Sequence, residues 1–163
     1  MNNLHKLSPD EINVYHLTTL GELIVLGVNI VEQCQSKDVN IDKGLFERAL
    51  NFMQIRHPLM RASLHFEANQ IFYRIHETLP LNTNEDISYK SFKTRKDLVV
   101  GLEEFNCKLF NYKIENSKLW RAFLYEFVDD NQSKKYAVGF LMPLFITGNL
   151  YSLTRFGINL IEN

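Results

Sequence analysis

The sequence predicts an α+β fold, a two-layer sandwich in which helices pack on one face of a mixed β-sheet. Two patterns favour this class. Segments with apolar residues at helical spacing alternate along the chain with short β-rich runs, and capping residues precede the helical segments. In chain order the predicted elements are α-β-α-β-β-α-β-β-α, so helices alternate with pairs of strands. That order favours a mixed sheet over a doubly wound parallel sheet.

The first helix is predicted over residues 9–16. Ser8 suits the N-cap, Pro9 suits the first helical position, and Glu11 stands three residues after the cap, as in a capping box. Residues 22–31 follow as a β-rich run. Their nearly continuous apolar character predicts a strand that is buried on both faces.

A second helix is predicted over residues 42–56, with Asp42 as its N-cap. Its apolar stripe at helical spacing comprises Leu45, Phe46, Ala49, Leu50 and Met53. We expect the helix to end at His57, because a residue before proline disfavours the α conformation. Residues 61–66 and 71–76 then predict two paired strands around a polar turn.

The second half of the chain repeats this pattern. The polar stretch 78–91 is interpreted as a connection, and Thr94 with Asp97 predicts the start of a third helix over residues 95–111. Residues 119–128 and 135–144 predict two further strands. A last helix is expected over residues 149–161.

Length and composition indicate one globular unit, predicted to span residues 1–163. Apolar residues make up 45% and charged residues 23% of the chain, which is ordinary for a globular domain. The net charge of −1 gives no global attraction to nucleic acid or to an anionic membrane, so neither is expected as a partner.

No targeting signal or membrane span is expected from the sequence. The N-terminus lacks an apolar segment, and the longest apolar runs are far shorter than the roughly 20 residues that cross a bilayer. Cys34 and Cys107 show no metal-ligand or redox spacing. A cytoplasmic protein with reduced thiols is therefore predicted.

The common signatures of catalysis do not occur in the sequence. It contains no glycine-rich phosphate loop, no HExxH and no GxSxG, and its five histidines show no ligand spacing, so no metal site is predicted. His65 and His76 could face each other across the predicted hairpin. We interpret them as polar residues on a half-exposed sheet.

Three ordered segments carry the strongest signal. They are residues 56–62, which contain "RHPLMR", residues 105–122, which end in "LWRA", and residues 140–153, which predict a strand, a glycine turn and a helix start. In this order and spacing they resemble the N-terminal half of the condensation-domain and chloramphenicol-acetyltransferase-like acyltransferase superfamily. The resemblance covers about residues 6 to 160, and it implies a half domain of that fold.

The active-site motif of this family is HHxxxDG, at the end of a strand. Its second His is the general base that takes a proton from an acceptor hydroxyl or amine, which attacks a thioester on coenzyme A or on a carrier-protein pantetheine. The matching segment here is residues 142–148, and only Gly148 agrees. Met142 stands at the first His position, Pro143 at the catalytic His position and Thr147 at the Asp position.

This departure determines the functional prediction, because proline has no titratable group and cannot act as a general base. The first hypothesis is a catalytically inactive half module, a pseudoenzyme that acts by binding or assembly. Self-association or a protein partner is expected through the face beside residues 140–145, because a full family member packs a second half there. No cofactor and no catalytic residue are expected on this reading.

Two alternatives remain open. The chain could be a component of an acyl-CoA- or carrier-protein-dependent O- or N-acyltransferase whose base comes from another chain, in which case a coenzyme A or pantetheine thioester is the substrate. It could instead be a relic or a fragment in which the three segments specify architecture only. If the chain does show turnover, His65, His76 and Tyr151 are the first residues to mutate.

Overall fold

The computed structural model describes residues 3–19, 24–32, 41–107 and 116–143. In chain order its elements are β1 (Asn3–Lys6), α1 (Pro9–Thr19), β2 (Ile24–Glu32), α2 (Lys43–Arg56), a 3₁₀ turn (Pro58–Arg61), β3 (Ala62–Glu67), β4 (Gln70–Ile75), β5 (Ile87–Phe92), α3 (Arg95–Asn106), β6 (Arg121–Val128) and β7 (Lys134–Pro143). The predicted α+β class is confirmed. The predicted last helix, residues 149–161, lies outside the described residues.

The strands form two sheets rather than the single sheet that was predicted. An antiparallel sheet has the strand order β1-β4-β3, and a four-stranded sheet has the order β2-β7-β6-β5. The larger sheet is mixed, as predicted, because β5 runs parallel to β6 while the other pairs are antiparallel. Strand β7 therefore lies inside the larger sheet, between β2 and β6.

The helix starts agree with the capping signals. The Ser8 backbone N–H donates to Glu11 Oε2 at 2.8 Å, and the Glu11 N–H donates back to Ser8 Oγ at 3.3 Å. Helix α1 continues to Thr19, three residues beyond the predicted end, because no residue that breaks a helix occurs before Gly21. Asp42 caps α2 by accepting from the Leu45 N–H at 2.6 Å.

Helix α3 begins at the predicted residue and ends earlier than predicted. Thr94 Oγ1 accepts from the Asp97 N–H at 3.1 Å, and Cys107 forms the C-cap. The prediction had extended this helix to residue 111. Residue 107 is a turn and not a helical residue, so the helix does not run unbroken to residue 111, and residues 108–111 themselves lie outside the described residues.

Two strands were missed by the sequence analysis. Strand β1 is four residues long and pairs with β4 at the edge of the small sheet. Strand β5 overlaps the end of the stretch that was interpreted as a polar connection, and it pairs in parallel with β6. It is polar because it is an edge strand of the larger sheet, where Lys90 and Ser91 reach solvent.

Two apolar clusters pack on opposite faces of the larger sheet. Along β6, Phe123 and Tyr125 face helix α3, where they contact Phe105. The alternate residue, Ala122, belongs to a second cluster formed with α1, α2 and the small sheet. The prediction placed all helices on one face of the sheet. In the structure, α3 packs on one face of the larger sheet, and α2 contacts the opposite face through Phe46, whose ring centroid is 6.3 Å from that of Tyr89.

Candidate functional site

The predicted motif begins at the end of β7. Met142 pairs with Val25 of β2, and Pro143 pairs with Ile24, so both positions lie where the strand leaves the sheet. Pro143 is fully buried, and Met142 is partly buried against the cluster that contains Trp120. Thr147 and Gly148 lie outside the described residues. Pro143 and Ile24 form the last described pair of the ladder, and a proline is tolerated at the end of a strand.

The described strand end therefore offers packing rather than acid–base chemistry. Residues 140–143 are Phe, Leu, Met and Pro, and each of them is buried or partly buried. A general base must present a titratable group within hydrogen-bond reach of the acceptor. Pro143, which the sequence resemblance aligns with that base, is buried and has no titratable group.

Trp120 joins the three family-like segments. Its Nε1–H donates to the backbone carbonyl of Met60 at 2.9 Å, which links the "LWRA" segment to the "RHPLMR" segment. Its ring also meets the Phe140 ring edge to face at a centroid distance of 6.0 Å, which adds the third segment. The residues that carry the sequence resemblance thus meet in one buried cluster, where they specify architecture.

Arg61 explains a second part of the "RHPLMR" segment. Its Nε–H donates to the carbonyl of His76 at 3.0 Å, and its NH1 group donates to the carbonyls of Gln54 and Ile55 at the end of α2. The last carbonyls of a helix have no partner within the helix, and they carry partial negative charge. Arg61 therefore caps α2 and fixes that helix to the end of β4.

The two histidines of the hairpin do not face each other, and both are partly buried, which agrees with their interpretation as polar residues on a half-exposed sheet. In the register of the hairpin, His65 lies opposite Phe72, whereas His76 follows β4 and donates its N–H to the Arg61 carbonyl. Residues that face each other in a hairpin must be register partners, and a hairpin that turns at residues 67–70 pairs His65 with Phe72 rather than with His76. His65 bonds to Arg74 at 2.6 Å, and His76 Nε2 bonds to Ser63 Oγ at 2.8 Å.

The bond between Ser63 and His76 was not foreseen, and it is the arrangement of a nucleophile with its base. The Ser63 side chain is inaccessible, because the residue is 1% exposed. A substrate could not approach its oxygen without displacing the surrounding core. The pair is best explained as a satisfied buried hydroxyl, because a buried polar group without a partner is costly.

A cavity of about 350 Å³ lies at the other end of the larger sheet. Its lining includes Lys43 from the start of α2, Tyr89 from β5, Glu126 from β6 and Tyr136 from β7. Tyr136 is seven residues before Pro143, about 23 Å along the strand. The cavity is therefore remote from the predicted motif.

The polar groups around this cavity are occupied with one another. Lys134 Nζ lies 2.7 Å from Glu126 Oε2, and the Tyr89 hydroxyl donates to Glu47 at 3.0 Å. Burial, and then the bond to Glu47, raises the pKa of Tyr89, so its hydroxyl stays protonated at neutral pH. These contacts join α2 to β5 and β6 to β7.

Within the described ranges, no three His, Cys, Asp or Glu side chains come close enough together to hold a metal ion. Cys107 is an exposed free thiol at the end of α3. The helices of the described ranges are all too short or too polar to cross a bilayer.

Comparison with known proteins identifies the fold. No protein-family model matches the sequence, and no curated protein matches it. Among solved structures, the wax ester synthase/diacylglycerol acyltransferase from Marinobacter aquaeolei VT8 aligns with a TM-score of 0.67 and 11% identity, over 93% of this chain and 36% of that one. The X-domain from teicoplanin biosynthesis aligns with a TM-score of 0.64 and 17% identity, over 86% and 28% of the two chains.

A third structure is the starter condensation domain of rhizomide synthetase RzmA in complex with C8-CoA. It aligns with a TM-score of 0.63 and 11% identity, over 87% of this chain and 31% of that one. The fold of this chain is therefore that of condensation domains and related acyltransferases. The chain spans only about a third of the length of these three solved chains.

Proposed function

We propose that this chain is a condensation-domain-like half module that lacks a catalytic base and acts by binding or assembly. The observation that carries the proposal is Pro143, which stands at the family's base position and is buried where β7 leaves the sheet. Its neighbour Met142 cannot replace an imidazole, because a thioether does not accept a proton at working pH. The chain keeps the fold without the group that performs the reaction.

A binding role has a parallel among the structural neighbours. One of them is the X-domain in complex with OxyB, which aligns with a TM-score of 0.64 and 16% identity, over 87% of this chain and 28% of that one. That complex supports the proposal, because a domain of this fold there binds another protein. Cytoplasmic localisation and a single unit over residues 1–163 belong to the same proposal.

The alternative is a component of an acyl-CoA- or carrier-protein-dependent O- or N-acyltransferase whose base comes from another chain. The neighbour solved with C8-CoA supports a thioester substrate for this fold. This alternative requires a second chain beside the end of β7. The two proposals therefore differ in what happens when the chain associates: only the alternative gains activity.

The mass of the purified chain in solution, measured by light scattering over a range of concentrations, tests this proposal. Self-assembly predicts a mass that rises above the 19.1 kDa of the monomer as concentration increases. Thiol release from acetyl-CoA is measured on the same samples. A monomer at every concentration contradicts self-assembly and leaves a different protein as the partner, and thiol release that appears with association favours the alternative.

The face beside residues 140–145 was predicted to mediate self-association or to bind a partner. Phe140 and Met142 are partly buried, Leu141 and Pro143 are buried, and residues 144–145 lie outside the described residues. The large apolar side chains that are exposed within the described ranges lie on other elements; they are Leu17, Leu45, Phe52, Ile55, Phe66, Val99 and Val100. All of these except Phe66 lie on helices, so a binding surface on a helix fits the proposed role better than the end of β7.

A further inference from the structure

Helix α2 exposes apolar side chains on the side that faces away from the core. Ile55 is 73% exposed, Phe52 is 52% exposed and Leu45 is 37% exposed, whereas Leu50 and Met53 of the same helix are buried. A surface helix ordinarily has one apolar stripe, which faces the core, and a polar outer side. Helix α2 has a second apolar stripe, and exposed apolar side chains that cluster mark interaction sites.

The exposed residues form a continuous surface. At about 100° per residue, Leu45, Arg48, Phe52, Ile55 and Arg56 lie within about 100° of one another around the helix axis. We call these five residues the α2 stripe. All five are exposed, and the stripe extends over about 16 Å of the helix.

The charge of the α2 stripe is positive. Its two charged members are Arg48 and Arg56, and the Arg56 guanidinium lies 5.5 Å from the centre of the Phe52 ring. Glu47 is the one acidic residue in the sequence of α2, and it faces the sheet, where it accepts from the Tyr89 hydroxyl. An apolar surface flanked by arginines complements apolar side chains flanked by carboxylates.

The same charges disfavour a second copy of this chain as the occupant. A two-fold contact brings the same patch of both copies together, so the arginines of one stripe would meet those of the other. Like charges placed opposite each other in an interface are unfavourable. The chemistry of the stripe therefore favours a different, acidic partner.

We propose that the α2 stripe binds an acidic amphipathic helix of another protein. Apolar side chains of that helix pack on Phe52 and Ile55, and its carboxylates pair with Arg48 and Arg56, which stand eight residues or about 12 Å apart along α2. This inference rests on the proposed binding role and names its surface and partner class. The small footprint predicts a weak, reversible complex.

A pair of synthetic peptides tests the proposal with the full chain. One is an amphipathic helix with leucines on one side and glutamates on the other, and the control replaces every glutamate by lysine. Binding is measured by fluorescence anisotropy of a label on the peptide. We expect saturable binding of the acidic peptide, at least tenfold weaker binding of the basic peptide, and weakening of the acidic complex by added salt.

Variants locate the binding surface. Phe52→Ser combined with Ile55→Ser is expected to weaken the acidic complex at least tenfold, because exposed apolar anchors supply most of the affinity of such contacts. Arg48→Glu combined with Arg56→Glu is expected to reverse the preference in favour of the basic peptide. The matched control is Val99→Ser combined with Val100→Ser on α3, because each valine is 49% exposed, and it is expected to leave binding unchanged.

Each of the following results would overturn the proposal. The first is equal binding of the two peptides, and the second is equal weakening by the α2 and α3 variants. The third is stripe-dependent binding to vesicles of phosphatidylcholine and phosphatidylserine without peptide binding, which would assign the stripe to a membrane surface. Circular dichroism melting curves confirm that every variant folds. If the chain neither binds the acidic peptide nor releases thiol from acetyl-CoA, this inference alone is contradicted. If the chain releases thiol, the proposed function is contradicted.

Discussion

Trp120 donates its Nε1–H to the backbone carbonyl of Met60, 2.9 Å away, and so joins positions that are 60 residues apart in the sequence. Both residues are almost completely buried. If the Met60 carbonyl lost this donor, no water could reach it to form a replacement hydrogen bond. The bond therefore fixes the strand that begins at Arg121 to the turn that precedes β3.

Replacement of Trp120 tests this role. Trp120→Phe is expected to lower the free energy of unfolding by about 1–3 kcal/mol, since it leaves the Met60 carbonyl without its donor. Trp120→Ala is expected to cost about 3–5 kcal/mol, because it also removes the ring from the core. Urea denaturation followed by circular dichroism gives both values. The exposed Phe52→Leu serves as a control and should change stability by less than about 0.5 kcal/mol.

The ion pair between Lys118 and Asp86 is the most enclosed ion pair among the described residues. Lys118 Nζ lies 2.7 Å from Asp86 Oδ2, and the two side chains are 5% and 11% exposed. Asp86 also accepts from the Asn82 N–H at 2.7 Å, so the pair holds the loop before β5 against the start of β6. Removal of either partner leaves a buried charge without its counter-charge.

We expect Asp86→Asn or Lys118→Met alone to destabilise the chain by about 3–5 kcal/mol, and the double variant to recover a large part of that loss. A double-mutant cycle in urea measures the coupling. The matched control is the exposed pair of Lys90 and Glu104, at 2.7 Å, where Glu104→Gln should cost less than about 1 kcal/mol. Equal costs for the two pairs would contradict the structural role assigned to Lys118.

Asp129 gives the chain a pH-dependent contribution to stability. The Lys135 ammonium, 2.8 Å away, and then the backbone N–H of Ser133 lower the pKa of this carboxyl. Because the pKa is lower in the folded state, the contribution is present above the unfolded pKa of about 3.9 and is lost as the pH falls towards the folded pKa.

The chain should therefore be more stable than the Asp129→Asn variant at neutral pH, and the difference should shrink below about pH 4. Urea midpoints measured at several pH values down to pH 2 provide the comparison. Asp130→Asn is the control on the adjacent exposed residue. A difference for Asp129→Asn that stays constant down to pH 2 would show that charge is not its cause.

Gly101 lets helix α3 approach the sheet closely. A Cβ atom at this position would lie 2.1 Å from the tip of the Phe92 ring, which packs against Tyr125. Alanine is about 1 kcal/mol better than glycine within a helix, yet overpacking costs about 1–3 kcal/mol. Gly101→Ala is therefore expected to be net destabilising.

A second substitution tests whether the ring is the cause. Phe92→Leu removes the ring tip, so adding Gly101→Ala to that variant should be neutral or stabilising. Thermal unfolding of the four proteins in this cycle gives the coupling between the two positions. If Gly101→Ala instead stabilises the chain that retains Phe92, the prediction is wrong, and the Phe92 ring does not require a glycine at position 101.

The sequence predicted the elements whose signals are local. The Ser8 and Asp42 caps and the proline after His57 set the observed starts of α1 and α2 and the end of α2, because each acts within one helical turn. Strand β5 was missed because its backbone hydrogen bonds are made with β6, a strand more than thirty residues later in the chain. Ile87 and Tyr89 do alternate with Ser88 and Lys90, as in a strand, but the polar composition of the surrounding stretch obscured this signal.

The same distinction applies to the candidate site. The placement of Met142 and Pro143 at a strand end followed from the sequence and is observed at the end of β7. The contacts of Arg61 with the end of α2, and the bond from Ser63 to His76, depend on how the turn and hairpin pack. Such contacts join residues by tertiary geometry, which spacing in the sequence does not encode.

The most direct test of the central claim is an assay for acyl transfer by the unmodified chain. Thiol release from acetyl-CoA is measured with a panel of alcohol and amine acceptors, beside Pro143→His and Pro143→Ala. Loss of a positioned general base typically lowers the rate about 10²–10⁴-fold, so we predict no turnover above background. We also predict no rescue by Pro143→His, because the sequence resemblance places Met142 and Thr147 at the other two positions of the motif. Turnover by the unmodified chain that survives Pro143→Ala would contradict the claim, since another residue would then supply the base.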